Sequence, residues 1–328
     1  MATPKQEKTL LDLIDAVDNV PLDFDFTSLY ALLLPNDPRP HGYISPSVLT
    51  QIPWTPSFTI THSPRRAVQV HDPSGGTSTS SAVNAAVNAA FQAVIDALIA
   101  ADANPLTHRS HSELFLVPGA DFFCAIERFP APMFGILSRG AHCTAYVPAP
   151  PGGRPRDLRV WVARRADHLF SYPGMLDTTI AGGVKAGDTP LECVVAEAGE
   201  EASLDAAAVR EGVRTAGAVT YVERSRHGHV SPTVLYVYDL PVGEEVRMEP
   251  RDDEVAEFHL WGVERVTEAM LAGRFKPNCN LVMIDFFVRH GVITQEEERD
   301  YLDIMTRLHR RLPVPTAPRR RAEGQRPA

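Results

Sequence analysis

Glu197, Glu200 and Glu201 stand at spacings of i, i+3 and i+4, which on a helix gathers all three carboxylates into an arc of roughly 100°. Three like charges so placed repel, by about 0.2–0.5 kcal/mol for each neighbouring pair. No Lys or Arg lies between Asp188 and Leu204 to offset that repulsion. A divalent cation would offset it. Mg²⁺ suits such a set, because it takes a few carboxylates and completes its octahedron with water and phosphate oxygens. Just upstream, Ala181-Gly182-Gly183 and Gly187 make a loop whose backbone can approach a ligand without Cβ interference. A glycine loop feeding an acid-bearing helix suggests metal-assisted chemistry on a diphosphate. Taken alone, the three glutamates fit a solvated acidic helix face about equally well.

The acids need a helix to hold them, and the local sequence predicts one at Pro190–Ala202. Thr189-Pro190-Leu191-Glu192 is a capping box with Pro at the first helical position. Leu191, Val194, Val195, Ala198 and Ala202 fall on one apolar face beside the acids.

This stretch resembles the Nudix box: a Gly, five residues, Glu, seven residues, Arg-Glu, two residues, Glu-Glu, one residue, Gly and an aliphatic. Gly182 takes the first position, Asp188 the acidic one, Glu197, Glu200 and Glu201 the metal-binding acids, and Leu204 the last place. Three positions depart from the pattern: Asp188 replaces Glu, Ala196 replaces Arg and Ser203 replaces Gly. In the family that Arg pairs with an acid of the box and helps to orient a catalytic Glu. Ser203 falls at the helix end, where Gly adopts a left-handed cap more easily. The resemblance extends to YPGMLDTTIAGG, VLYVYDL, DDEVAEFHLW, FKPNCNLVMIDFFVRHGVIT and LHRRLP, which look like fungal thiamine-pyrophosphokinase-related Nudix proteins. In that group an uncharacterised N-terminal domain precedes the Nudix domain.

The resemblance implies Mg²⁺- or Mn²⁺-dependent cleavage of a small organic diphosphate. Thiamine diphosphate or its oxidised and toxic analogues come first, giving the monophosphate and phosphate. Nucleoside diphosphates or oxidised nucleotides are the alternative, and a catalytically weakened binding or regulatory module is a third reading, motivated by Ala196. Glu197, Glu200, Glu201 and the Gly182 carbonyl would hold the metal. Glu201 is the first choice for general base and Glu254 the second, with Glu200 in the catalytic set and Asp253 behind them. Candidate substrate contacts are Tyr172 and Asp177 from YPGMLD, and Lys276 and Asn278 from FKPN. An aromatic can stack on a heteroaromatic ring and a Lys can meet phosphate. Against this, Tyr172-Pro173-Gly174 reads as a turn and Lys276-Pro277-Asn278 as a helix entry capped by Asn278.

The chain of 328 residues has room for two domains. Its net charge of −9 argues against broad neutralisation of nucleic-acid phosphate. No run of 18 uninterrupted apolar residues and no signal core is seen, so a cytoplasmic protein without membrane or nucleic-acid partners is expected. The oligomeric state is not legible. Cys124, Cys143, Cys193 and Cys279 form no CxxC pair and read as buried thiols.

Polar, Pro-rich or Gly-rich breaks fall at 34–40, 72–81, 148–157 and from 313 onward. From Phe134 onward the pattern turns β-rich, which places a boundary near residue 130 between an N-terminal α+β domain (1–130) and the Nudix-like domain (131–312), with a disordered basic tail (313–328). Helices are expected at 10–17, 82–101, 263–272, 281–290 and 295–310. Strands are expected at 134–137, 143–147, 158–164 and 257–261, with a hairpin of 216–223 and 233–239; residues 43–49 and 58–62 read as short strands or turns. The fold class is α/β: a Nudix-type α/β/α sandwich with a mixed sheet, preceded by the smaller α+β domain. Arg226-His227-Gly228-His229 reads as an exposed turn, His108 and His111 as surface residues, Arg319–Arg321 as solvated tail, and Trp161 and Trp261 as core.

Overall fold

The computed structural model describes residues 8–72, 80–101 and 110–320. Most of the expected 72–81 loop, His108, and the last eight positions of the expected tail lie outside them.

Helix α1 (Leu10–Asp15) opens the described chain, with Thr9 and Asp12 forming a capping box. Strands β1 (Tyr30–Leu33) and β2 (Pro40–Ile44), helix α2 (Pro46–Leu49), and strands β3 (Phe58–Thr61) and β4 (Ala67–Val70) follow. The four strands form one sheet in the order β2-β1-β4-β3. Helix α3 (Ser80–Ala100) covers it, because Val87, Phe91, Val94 and Leu98 recur at helical spacing and are buried with Leu32, Val68 and Phe134. By length and composition residues 81–100 are apolar enough to cross a membrane, yet this face lies in the core of the N-terminal unit. A two-stranded ribbon, β5 (Leu114–Leu116) and β6 (Ala125–Glu127), completes the unit.

No strand forms at 134–137. Ala131–Phe134 is a 3-10 turn ending at Gly135, whose φ is +63°. The cause is a close backbone crossing. A Cβ on Gly42 would lie 2.2 Å from the Phe134 carbonyl oxygen, and one on Gly135 would lie 2.2 Å from that of Tyr43. Four apolar residues in a row do not reveal such a crossing.

The second unit runs β7 (Ser138–Val147), β8 (Arg159–Arg165), β9 (Leu176–Asp177), β10 (Ile180–Gly183), α4 (Pro190–Ala202), α5 (Ala206–Gly212), β11 (Arg214–Arg224), β12 (Val230–Pro241), β13 (Val255–Gly262), α6 (Val263–Leu271), α7 (Pro277–Arg289) and α8 (Tyr301–Leu308). The mixed sheet has the order β11-β12-β7-β8-β13, with β10 beside β7 and β9 beside β8. The β7–β12 pair is parallel and β11–β12 antiparallel, so the expected hairpin forms. Alternation along β7 divides the core. Ala141, Cys143 and Ala145 join α4 and α5 on one face, while α1, α6, α7 and α8 cover the other. The architecture is the expected α/β/α sandwich behind a smaller α+β unit. The helix expected at 295–310 begins only at Tyr301.

The expected boundary at 130/131 is crossed at both ends of the chain. Leu13, Ile14 and Val17 join the core with α7 and α8, and Asp18 pairs with Arg310 and Arg307, each at 2.6 Å. Residues 313–320 are packed rather than free: Val314 is buried, and Arg319 donates to Asp121 and to the Asn36 carbonyl. The hairpin tip is not a free turn either. A Cβ on Gly228 would lie 3.1 Å from Ser47 Oγ of α2, and His229 is buried.

Candidate active site

Strand β10 lies antiparallel to β7, placing Gly182 opposite Ala141 and Gly183 opposite Gly140. The capping box starts α4 as the sequence requires: Glu192 N–H donates to Thr189 Oγ1 at 3.2 Å, and Thr189 N–H to Glu192 Oε2 at 2.8 Å. Val194, Val195, Ala198 and Ala202 are buried against the sheet, which lays the acidic edge of α4 along β10.

Glu197 rests on Gly182. A Cβ there would lie 2.2 Å from Glu197 Oε1 and 2.6 Å from its Cγ, so only glycine leaves room for the carboxylate. Gly182→Ala should therefore keep the fold but displace Glu197; a crystal structure with Glu197 unmoved would refute the steric reading. Glu201 is buried and accepts the Ala181 N–H at 3.3 Å, while Glu200 is exposed. Burial, with the charges of Glu200 and Glu254, pushes Glu197 up to about 7. Burial, then the charges of Glu197 and Asp177, raises Glu201 well above the usual carboxylate range.

Residues 251–254 dock on the end of α4. Arg251 donates its N–H to the Glu201 carbonyl at 3.4 Å and Nη1 to that of Gly199 at 3.3 Å. This brings Glu254 and Asp252 into the field of Glu197 and Glu201 respectively. Asp253 turns away: its side chain is 88 % exposed and 3.5 Å from His168. These oxygen donors suit a hard divalent cation.

Helix α4 ends at Ser203, held left-handed at φ +56°, with Leu204 N–H donating to the Ala198 carbonyl at 3.0 Å. A residue with a Cβ is strained there. Ser203→Gly should raise stability by about 0.5–1 kcal/mol, read as a Tm gain of roughly 1–4 °C in a thermal melt. An unchanged or lower Tm would count against the strain.

The substrate-contact candidates divide. Asp177 is buried, accepting from Cys279 Sγ at 2.7 Å and pairing with Arg165 at 3.4 Å and Lys276 at 3.5 Å. Its carboxyl is held well below the usual range by Lys276, His142, Cys279 and Arg165 against the opposing effect of burial. Asp177 is thus engaged by Lys276, Arg165 and Cys279 in this structure. Lys276 keeps its charge, with a fifth of its side chain exposed. Asn278 does not cap α7; it lies at the Tyr221 hydroxyl with Thr233. Tyr172 is 41 % exposed in a left-handed conformation at φ +52°, a costly one for an aromatic residue.

Three residues were missed from sequence as site candidates: His142, Cys279 and Glu223. His142, Asp177 and Cys279 are buried together with ligand-type atoms all within 4.8 Å of one another, a second donor set able to hold a metal. Lys276 and Arg165 compete with a cation there. Glu223 is half-buried and its carboxylate has no hydrogen bond or ion pair among the described residues; burial raises its pKa. The alternation Val219, Tyr221, Glu223 along β11 could have placed it on one face with Tyr221, but not which face.

The family described as NUDIX domain matches residues 150–279, from the β7–β8 connection to the start of α7. Among curated proteins, an uncharacterized protein of Saccharomyces cerevisiae, YJR142W, is 37% identical over 206 residues, covering 59% of each chain. Nudix hydrolase 20, chloroplastic, of Arabidopsis thaliana is 36% identical over 193 residues, covering 58% of this chain and 50% of its own. The chain thus spans only half to three-fifths of the curated relatives it matches. Among solved structures, DR0079 from Deinococcus radiodurans is similar over 45% of this chain and 83% of its own, at 17% identity and a TM-score of 0.35. The folded sandwich is wider than the matched span, since its central strand β7 precedes residue 150 and α7 and α8 continue beyond residue 279.

Proposed function

We propose that the Nudix domain hydrolyses a diphosphate linkage in a small organic diphosphate with the help of Mg²⁺ or Mn²⁺. The observation that carries this reading is the seating of Glu197 on Gly182 beside the buried Glu201. Glu197, Glu200, Glu201 and the Gly182 carbonyl are the proposed metal-holding groups. When bound, a divalent cation there polarises a phosphate oxygen and acidifies water. Glu201 or Glu254 takes the proton of the attacking water. Glu201 is better enclosed and Glu254 freer to move, and comparing Glu254→Gln with Glu201→Gln separates them. A Glu254→Gln protein that keeps Mn²⁺ affinity and loses turnover would make Glu254 the base; full turnover would leave the role to Glu201. Lys276, oriented by Asp177, meets phosphate.

The organic group of the substrate is placed between Tyr172, Tyr221 and Glu223. An exposed aromatic beside an unpaired carboxylate favours a heterocycle that bears an amino group or a positive charge. Nucleoside diphosphates and oxidised nucleotides fit this description, and so do thiamine diphosphate and its oxidised analogues. The four buried, unpaired thiols accord with a reducing compartment, and we place the activity in the cytosol. A panel of both substrate classes ranks them. Metal-dependent binding without turnover would favour a regulatory module instead.

Metal binding has a second readout. Glu197 sits at about 7 against an ordinary 4.5, so in this pH range the metal-free folded protein holds a proton that the unfolded chain has lost. The stability from this group is fully present below about 4.5 and is lost as pH rises through about 7. A cation requires the ionised carboxylates. Mn²⁺ should therefore raise Tm more at about pH 8 than at about pH 5.5, and equal gains at both would contradict the ligand assignment.

A further inference from the structure

Helix α4 carries Ala196 where the box has its arginine, so any cation near the metal-holding acids must come from elsewhere. Two cations bear on Glu197: Lys185, from the loop ahead of α4, and Arg128, from the N-terminal unit. Arg128 follows β6 and is anchored. Its N–H donates to the Glu113 carbonyl at 2.9 Å, and Nη1 donates to Glu113 Oε1 at 2.6 Å. Its guanidinium lies 5.8 Å from the centroid of Phe115 and 6.0 Å from that of Phe129.

Phe115 is the spacer that sets its position. Its ring edge is seated on Gly183, where a Cβ would lie 2.5 Å from Phe115 Cζ. Ala186 N–H donates to the Leu114 carbonyl at 2.7 Å, joining β5 to the same glycine loop. Gly183 holds Phe115 and, through it, Arg128; its neighbour Gly182 seats Glu197. The Arg128 side chain stays 49 % exposed, and only Nη1 has a hydrogen-bond partner among the described residues. A rigid fork with free N–H groups suits phosphate oxygens.

We infer that the N-terminal unit completes the active site, with Arg128 held over Phe115 to bind a phosphate oxygen of the diphosphate and Lys185 on the same edge. The identity of that ligand rests on the hydrolase reading above. An exposed Arg–Glu pair adds little to stability, so Arg128 can be changed without loss of the fold.

The test uses full-length wild type, Arg128→Gln and Arg128→Lys. It measures binding of methylene diphosphonate, a non-hydrolysable diphosphate, by calorimetry with Mn²⁺ present, together with Mn²⁺ affinity, Tm and turnover. Arg128→Gln should weaken the diphosphonate about tenfold to a hundredfold, with Mn²⁺ affinity and Tm unchanged. Arg128→Lys should fall between, keeping the charge without the fork. Binding that depends on Arg128 in a protein that turns nothing over would sustain the inference and sink the hydrolase reading. Turnover and diphosphonate binding that are indifferent to Arg128→Gln would overturn the inference and leave the hydrolase standing. Absence of diphosphonate binding by the wild type would overturn it as well.

Discussion

Glu201→Gln should lower turnover by a factor on the order of 10²–10³ while leaving the fold intact. The two halves of that expectation have separate physical grounds. Glu201 is buried, with one backbone N–H as its hydrogen-bond partner among the described residues, and its pKa is raised well above the usual range. Burial disfavours its charged form, and glutamine has nearly the same shape and no charge. Stability should hold or rise slightly. Activity should fall because the cation loses an anionic oxygen donor from the enclosed part of the site. Glu200→Gln should fall as well, though Glu200 is exposed and the substitution is structurally trivial. Phosphate-release rates beside thermal melts decide the matter. Near-wild-type rates in both variants would remove the metal assignment.

Asp18→Ala should lower stability by about 3–5 kcal/mol, or roughly 10 °C in Tm. The Asp18 side chain is fully buried and takes Arg310 and Arg307, while its Oδ1 also accepts the Val222 N–H at 2.9 Å. Arg310 is itself buried, and its Nε already lacks a partner among the described residues. Removing the acid would leave an uncompensated charge between α1, α8 and β11. If the cost is that stranded charge, replacing Asp18 and Arg310 together with apolar residues should recover much of the loss. A single variant that melts like wild type would show that the segment before residue 20 is not part of the sandwich core.

The same contrast shows what was legible in the sequence. Helix α4 was readable because everything that marks it lies close in the chain, between Gly182 and Ala202: a cap, an apolar face and three acids in fixed register with Gly182. The Asp18–Arg310 pair spans 292 positions, and nothing local marks either partner. Arg128 is equally hidden; its relation to Glu197 exists only through Phe115 and the glycine pair. Strands β9 and β10 hold two and four residues, too few for periodicity to register. Asp177 was singled out from a motif, but its burial among Lys276, Arg165 and Cys279 depends on the chain returning beside β9 after α6. Glu223 was passed over because a carboxylate near a hairpin tip reads as solvated until its burial in the fold is seen.

The most direct measurement is phosphate release by the full-length chain from a panel of nucleoside diphosphates, oxidised nucleotides, thiamine diphosphate and oxothiamine diphosphate. Mg²⁺ or Mn²⁺ is supplied, with EDTA as the control. Turnover that requires the metal, vanishes with EDTA and falls in Glu201→Gln is the expected result, with the preferred organic group read from the ranking. Turnover that survives EDTA, or none on any member although Mn²⁺ binds, would contradict a metal-dependent diphosphate hydrolase.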